Sequence, residues 1–139
     1  MKTKLFITMI SLITGTMIFS MITGFSSLQD KKPWPVPDAD NKKANPIKSD
    51  ASSIADGKTL WAKHCQSCHG KSGMGDGSKA AQLKTEPGDF SKASTQTQTD
   101  GSLFYKISAG RDDMPGFKKK IPENDDVWSL VNYMRTLKK

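Results

Sequence analysis

Both cysteines and both histidines of this 139-residue chain lie between His64 and His69. Within that stretch, Cys65-Gln66-Ser67-Cys68-His69 has the spacing C-x-x-C-H, the attachment motif for c-type haem. Two thiols one helical turn apart can each add across one of the two vinyl groups on a haem edge. The adjoining imidazole then offers a neutral nitrogen to the iron from one face. The motif assigns Cys65 and Cys68 to thioether attachment, His69 to proximal iron ligation, and one covalent haem c to each chain. Everything else must then pack around a flat apolar disc.

Three other readings of the same residues are weaker. Structural zinc needs four ligands, usually two pairs separated by a dozen or more residues, and no second pair exists here. A thioredoxin-type C-x-x-C should follow a strand in a βαβ pattern, whereas the residues before Cys65 read as helix. A plain disulfide suits an oxidising compartment but gives His69 no task.

The N-terminus agrees with export. Lys2 and Lys4 precede an uncharged run that stays strongly apolar from Leu5 to Phe25. A short basic region before an apolar stretch is an export signal. Gly24-Phe25-Ser26 offers small residues for cleavage after Ser26, so one reading of residues 1–26 is a cleaved signal peptide. The apolar run is also long enough to span a bilayer, so a retained membrane anchor through residues 5–25 stands beside the cleaved signal. Either way the remainder lies outside the cytoplasm, periplasmic or on the outer face of the membrane, soluble or tethered. Thioether attachment in bacteria takes place on that side.

Residues 27–52 carry Pro33, Pro35, Pro37 and Pro46 among Lys and Asp, with few large apolar groups. Such a stretch buries too little surface to offset chain entropy, and an extended, disordered linker is expected. Trp34 is the exception, either packing on the domain surface or docking to a partner subunit. The folded part is residues 53–139, small enough that a haem would act as its staple.

Helical signals dominate there. Ser52 or Ser53 can cap a helix from Ile54 to about Cys65, with Gly57 permitting a close helix crossing. Four glycines between Gly70 and Gly77 make a loop, and a short helix is expected over Lys79–Lys84. Thr99 or Asp100 can cap a helix over Gly101–Ala109, with Gly110 as its terminator. Val127, Leu130, Val131, Met134 and Leu137 recur at helical spacing after a start near Asn124 or Asp125.

The second axial position on the iron decides between electron transfer and binding of small molecules. Met74 lies too soon after His69, Met134 belongs to the apolar face of the last helix, and His64 reads as a solvated surface side chain. Met114 sits in Gly110-Arg111-Asp112-Asp113-Met114-Pro115-Gly116-Phe117, an irregular and mostly polar segment far enough downstream to reach the opposite face. It is the expected distal ligand, and a His/Met pair suits a low-spin electron carrier.

In order and spacing, residues 55–137 resemble the small class I monohaem cytochromes c of bacteria. Gly57, Leu60 and Trp61 match the first helix of that family, Cys65, Cys68 and His69 its haem site, and Gly75-Asp76-Gly77 its glycine loop. Met114-Pro115-Gly116-Phe117 matches the distal segment, and Trp128, Val131, Tyr133, Arg135 and Leu137 the terminal helix. The resemblance implies an all-α class I cytochrome c fold, short helices wrapped around one covalent haem with long loops between them. It also implies that Tyr133 crosses the first helix near the glycine and that a haem edge is exposed. Trp61 stands where the family more often has Phe or Tyr, and the Pro-rich segment lies outside the match.

The formal charge of +7 is shared between leader, linker and domain, so the folded part is only mildly basic. Lys118, Lys119 and Lys120 follow the ligand segment and read equally as a solvated run or as a steering surface for an acidic redox partner. No aromatic-interleaved basic patch points to nucleic acid. Outside His64–His69 there is no histidine or cysteine to act as acid, base or nucleophile, which argues against an enzyme. The expected function is single-electron transfer in a respiratory chain. A fixed haem subunit of a larger membrane redox complex is the alternative, and a gas- or peroxide-reactive haem protein the more distant one.

Overall fold

A computed structural model describes residues 33–139. The chain divides into two compact units, Met1–Trp34 and Pro35–Lys139. Only Pro33 and Trp34 of the first are described, so the leader with its cleavage site or anchor lies outside the described residues. No helix among the described residues is long and apolar enough to cross a membrane.

The second unit is helical, with no strand among the described residues. Its α-helices are α1 (Asp38–Asn41), α2 (Ala51–His64), α3 (Gln66–His69), α4 (Ala93–Gln96), α5 (Asp100–Ala109) and α6 (Asn124–Arg135). A single 3-10 turn, Ala80–Gln82, stands where the short helix was expected over Lys79–Lys84.

Local chemistry explains the boundaries. Asp50, not Ser52 or Ser53, caps α2. The Ser53 amide donates to its carboxylate at 3.1 Å, and the Asp50 amide donates back to the Ser53 hydroxyl at 3.2 Å. This reciprocal box satisfies two donors at the helix start. Thr99 caps α5 by accepting from the Ser102 amide at 3.0 Å, and Gly110 ends that helix with φ +71, a conformation that favours glycine.

Helices α2 and α6 form the main packing pair. The crossing falls at Gly57, where a Cβ would stand 2.1 Å from the Ser129 carbonyl oxygen and 2.8 Å from Tyr133 Cβ. Trp61 from α2 and Val127, Leu130, Val131 and Met134 from α6 form the centre of the core. Leu103 and Ile107 of α5 join them, with Phe90, Phe117 and Ile121 from the loops. Arg135 fastens the end of α6 to α4 and α5. Its guanidinium donates to Asp100 Oδ1 at 2.6 and 2.9 Å, to the Gln96 carbonyl at 2.8 Å and to the Gln98 carbonyl at 2.6 Å.

The segment expected to be a disordered linker differs from that expectation over its second half. From Pro35 on it belongs to the compact unit. Asp38 and Asp40 occupy the first turn of α1, where the helix dipole favours them. Asn132 of α6, only 4% exposed, holds the strap in place. Its amide donates to the Ile47 carbonyl at 3.2 Å, the Lys48 carbonyl at 3.3 Å and the Ser53 hydroxyl at 3.1 Å. Its carbonyl oxygen accepts from Asn45 Nδ2 at 2.8 Å. Polar anchoring of this kind replaces the apolar burial that the composition lacks, and Ile47 adds a contact to the core.

Candidate functional site

The C-x-x-C-H segment folds as one tight turn. Cys65 ends α2, and its carbonyl accepts from the Cys68 amide at 3.1 Å and the His69 amide at 2.9 Å. The two thiols therefore project from successive positions one turn apart. Both are partly exposed and neither is in a disulfide. Burial, with the neighbouring Cys68 second, pushes the Cys65 thiol up to about 12. It is held as a neutral SH. Among the described residues no three His, Cys, Asp or Glu side chains gather as a metal-ion cluster, so a tetrahedral zinc set is not assembled there.

His69 sits between aromatic neighbours. The Phe90 ring approaches edge-on at 5.1 Å and the Trp61 ring lies 5.7 Å away. Burial holds the imidazole below its ordinary pKa, with the Gly88 carbonyl acting in the opposite direction. Nδ1 stands 3.5 Å from that carbonyl oxygen. A carbonyl can only accept, so this contact selects the tautomer with the proton on Nδ1 and leaves the Nε2 lone pair for a metal. Trp61 Nε1 braces the next residue by donating to the Gly70 carbonyl at 3.0 Å. The following loop closes on the turn, with the Gly75 amide donating to the His69 carbonyl at 2.9 Å and the Gly77 amide to the Cys68 carbonyl at 3.2 Å.

Met114 lies on a separate loop. The Arg111 and Met114 amides donate to each other's carbonyls at 2.8 and 2.9 Å, and Asp112 turns the chain between them with φ +52. The loop is anchored below by the Phe117 amide, which donates to the Ile107 carbonyl at 2.9 Å. Met114 is half-buried against the same hydrophobic cluster that contains Trp61 and Phe90. The other sulfur candidates are placed differently: Met134 is in the core, and Met74 is 41% exposed with Lys139 Nζ at 3.3 Å from its sulfur.

One expectation at the rim changes. His64 is half-buried rather than solvated, its ring edge-on to Phe117 at 5.8 Å. Burial first, then Lys63 and Lys120, lower its pKa. Lys118, Lys119 and Lys120 are exposed, and Lys120 Nζ lies 5.5 Å from the centre of the Phe117 ring. Asp112 and Asp113 are engaged elsewhere. Asp112 pairs with Arg111 at 3.3 Å, while one oxygen of Asp113 accepts from the Lys84 and Thr85 amides at 2.7 and 3.0 Å. Asp113 and the Gly88 carbonyl were not legible as site residues, because both act through partners distant in sequence. The Pro87-Gly88 pair, a turn signal, was the one local sign of a fixed carbonyl there.

The residues fit a covalent haem by the chemistry of their donors: two free thiols at the required spacing, a neutral imidazole of fixed tautomer, and a half-buried thioether on an apolar wall. Comparisons with known proteins point the same way. A profile of the family described as cytochrome C oxidase, cbb3-type, subunit III matches residues 52–134. Cytochrome c6 of Cladophora glomerata is 28% identical over 90 residues, covering 61% of this chain and 89% of that protein. The structure of the KustC0563 c-type cytochrome superposes with a TM-score of 0.53 at 31% identity, over 60% of this chain and 99% of that one. A chain of the Kuenenia stuttgartiensis reducing HAO-like protein complex Kustc0457/Kustc0458 gives a TM-score of 0.62 at 24% identity, over 79% of this chain. This chain spans 53% of that one, about half its length, and the likeness shows the fold alone.

Proposed function

Because the chain belongs to the cytochrome c family described as cytochrome C oxidase, cbb3-type, subunit III, whose members carry a covalent haem c and transfer electrons, we propose His69 and Met114 as its axial ligands and Cys65 and Cys68 as its attachment points. The observation that carries this reading is the turn from Cys65 to His69, with both thiols free and the imidazole directed by the Gly88 carbonyl. Haem supplies the one-electron change of iron valence. The chain does the rest. Cys65 and Cys68 fix the edge of the disc, His69 presents Nε2, and Met114 offers a soft sulfur from the other loop. Trp61, Phe90 and the aliphatic core exclude water, which lowers the reorganisation that accompanies a change of charge.

The chain acts outside the cytoplasm, as a carrier in a respiratory chain, delivered there by its N-terminal leader. Its partners are redox proteins, and Lys118–Lys120 beside the Met114 loop give an acidic surface a point of approach. A second reading, a fixed subunit of a larger complex, is favoured by the family description. Cutting the apolar segment from the exported, haem-loaded protein separates the two: a carrier leaves the membrane fraction, and a fixed subunit stays with it.

The direct test of attachment is the intact mass of the denatured protein, made in a host with c-haem maturation. One haem should add to the wild type and be lost from the Cys65→Ser/Cys68→Ser variant. A wild-type chain that releases its haem on denaturation contradicts the proposal.

A further inference from the structure

The loop carrying Met114 is closed mostly upon itself. Arg111 and Met114 pair with each other, and Phe117 and Lys118 return to the end of α5 through the Ile107 and Ser108 carbonyls at 2.9 and 3.4 Å. Asp113 is a point at which this hairpin bonds to a distant segment. Its Oδ2 accepts from two successive amides, Lys84 at 2.7 Å and Thr85 at 3.0 Å. A carboxylate on two backbone amides is a charge-assisted pair, stronger and more directional than a neutral hydrogen bond.

The far end of that contact is not an arbitrary loop. Three residues after Thr85, Gly88 presents the carbonyl that faces His69 Nδ1. Gly75 keeps the intervening turn against the haem-motif loop: with φ +79, it lies where a Cβ would be 2.8 Å from the Pro87 carbonyl oxygen. Segment 84–88 thus touches the holder of each expected axial ligand, Asp113 at one end and His69 at the other.

We infer that Asp113 is a positioning residue that fixes Met114 for the iron by tying the distal loop to segment 84–88, the segment that also orients His69. The inference rests on the reading of Met114 as distal ligand. Asp113 touches neither haem nor ligand sulfur in this role; it limits how far the hairpin swings outward. Without the tie, the sulfur leaves the iron more often, and an exogenous ligand finds the vacated position.

The test uses the full-length haem protein. The readouts are the weak sulfur-to-iron charge-transfer band of the oxidised form and carbon monoxide binding by the reduced form. Asp113→Ala should lose much of the band, and its reduced form should take up carbon monoxide at a concentration that leaves the wild type unchanged. Asp113→Asn keeps an oxygen that accepts from both amides and should retain most of the band. Asp112→Asn removes a neighbouring charge that makes no tie to segment 84–88 and keeps a side chain suited to the left-handed turn at this position, and should leave both readouts as in the wild type. The inference is overturned if Asp113→Ala keeps the wild-type band and gas resistance, or if Asp112→Asn shows the same change, which would make the effect one of charge alone. A wild-type protein that itself lacks the band and takes up carbon monoxide would instead sink the Met114 assignment. The two failures are therefore distinguishable.

Discussion

Gly57 and Ser129 bring the backbones of α2 and α6 together with no room for a side chain, since a Cβ on Gly57 would stand 2.1 Å from the Ser129 carbonyl oxygen. The clash is with backbone, so neither neighbour can rotate away. Alanine at 57 would gain about 1 kcal/mol in helix propensity, but separating the two helices across the core should cost more. Gly57→Ala is expected to destabilise the haem-loaded protein by about 2–3 kcal/mol net. Denaturant unfolding followed by tryptophan fluorescence measures it, and an unchanged midpoint would mean that the crossing tolerates a methyl group.

Arg135 joins α6 to α4 and α5 through Asp100 and two carbonyls, with its own side chain 28% exposed. A point charge cannot reproduce a fork that serves three acceptors. Arg135→Lys should therefore lose much of what Arg135→Ala loses, about 1–3 kcal/mol. Equal stability of the lysine variant and the wild type in thermal unfolding would reduce the cluster to a simple charge contact.

Asn132 ties the strap to the domain from a site 4% exposed. Replacement by leucine keeps the branching of the side chain but leaves the Ser53 hydroxyl, Asn45 and two carbonyls without that partner. A loss of about 2–3 kcal/mol is expected, together with faster amide hydrogen exchange around Ile47 and Lys48. Stability loss without faster exchange in the strap would contradict the anchoring role.

His64 gives the pH dependence its sign. Burial, Lys63 and Lys120 all disfavour its charged form, so the folded protein binds this proton less readily than the unfolded chain. Its contribution to stability is present above the unfolded value of about 6.5 and is lost as pH falls through the lower folded pKa. NMR titration of the haem-loaded protein should find His64 titrating below 6.5, and Lys120→Gln should move it upward. A titration at or above the ordinary histidine value would refute the burial against Phe117.

Removing the prosthetic group should remove the fold. The described core is small, and a covalent disc packed beside Met114 would add to the apolar surface that the chain buries. The chain expressed without haem maturation is expected to show little helical circular dichroism. A native-like spectrum from that material would contradict the stapling role.

What could be read in advance follows from how local each determinant is. The cap at Thr99 and the stop at Gly110 are single-residue signals, and α5 lies between them in the structure. The α6 stripe is a period, legible without knowing what it packs against. The start of α2 was less certain because Asp50, Ser52 and Ser53 are all eligible caps; the reciprocal bond between Asp50 and Ser53 decides among them. The order of the strap was hidden. Its composition is that of a loose chain, and the residue that anchors it, Asn132, lies on another element. At the candidate site, the thiols and His69 share one contiguous turn and could be read directly. The Gly88 carbonyl and the Asp113 carboxylate act across the tertiary fold, where no spacing rule reaches.

The central claim is that one iron is held by His69 on one side and Met114 on the other. Absorption spectra of the oxidised and reduced full-length haem protein, with and without carbon monoxide, test it most directly. The account predicts low-spin iron, the weak sulfur-to-iron charge-transfer band in the oxidised form, and no response of the reduced form to the gas. High-spin iron that takes up carbon monoxide would contradict it.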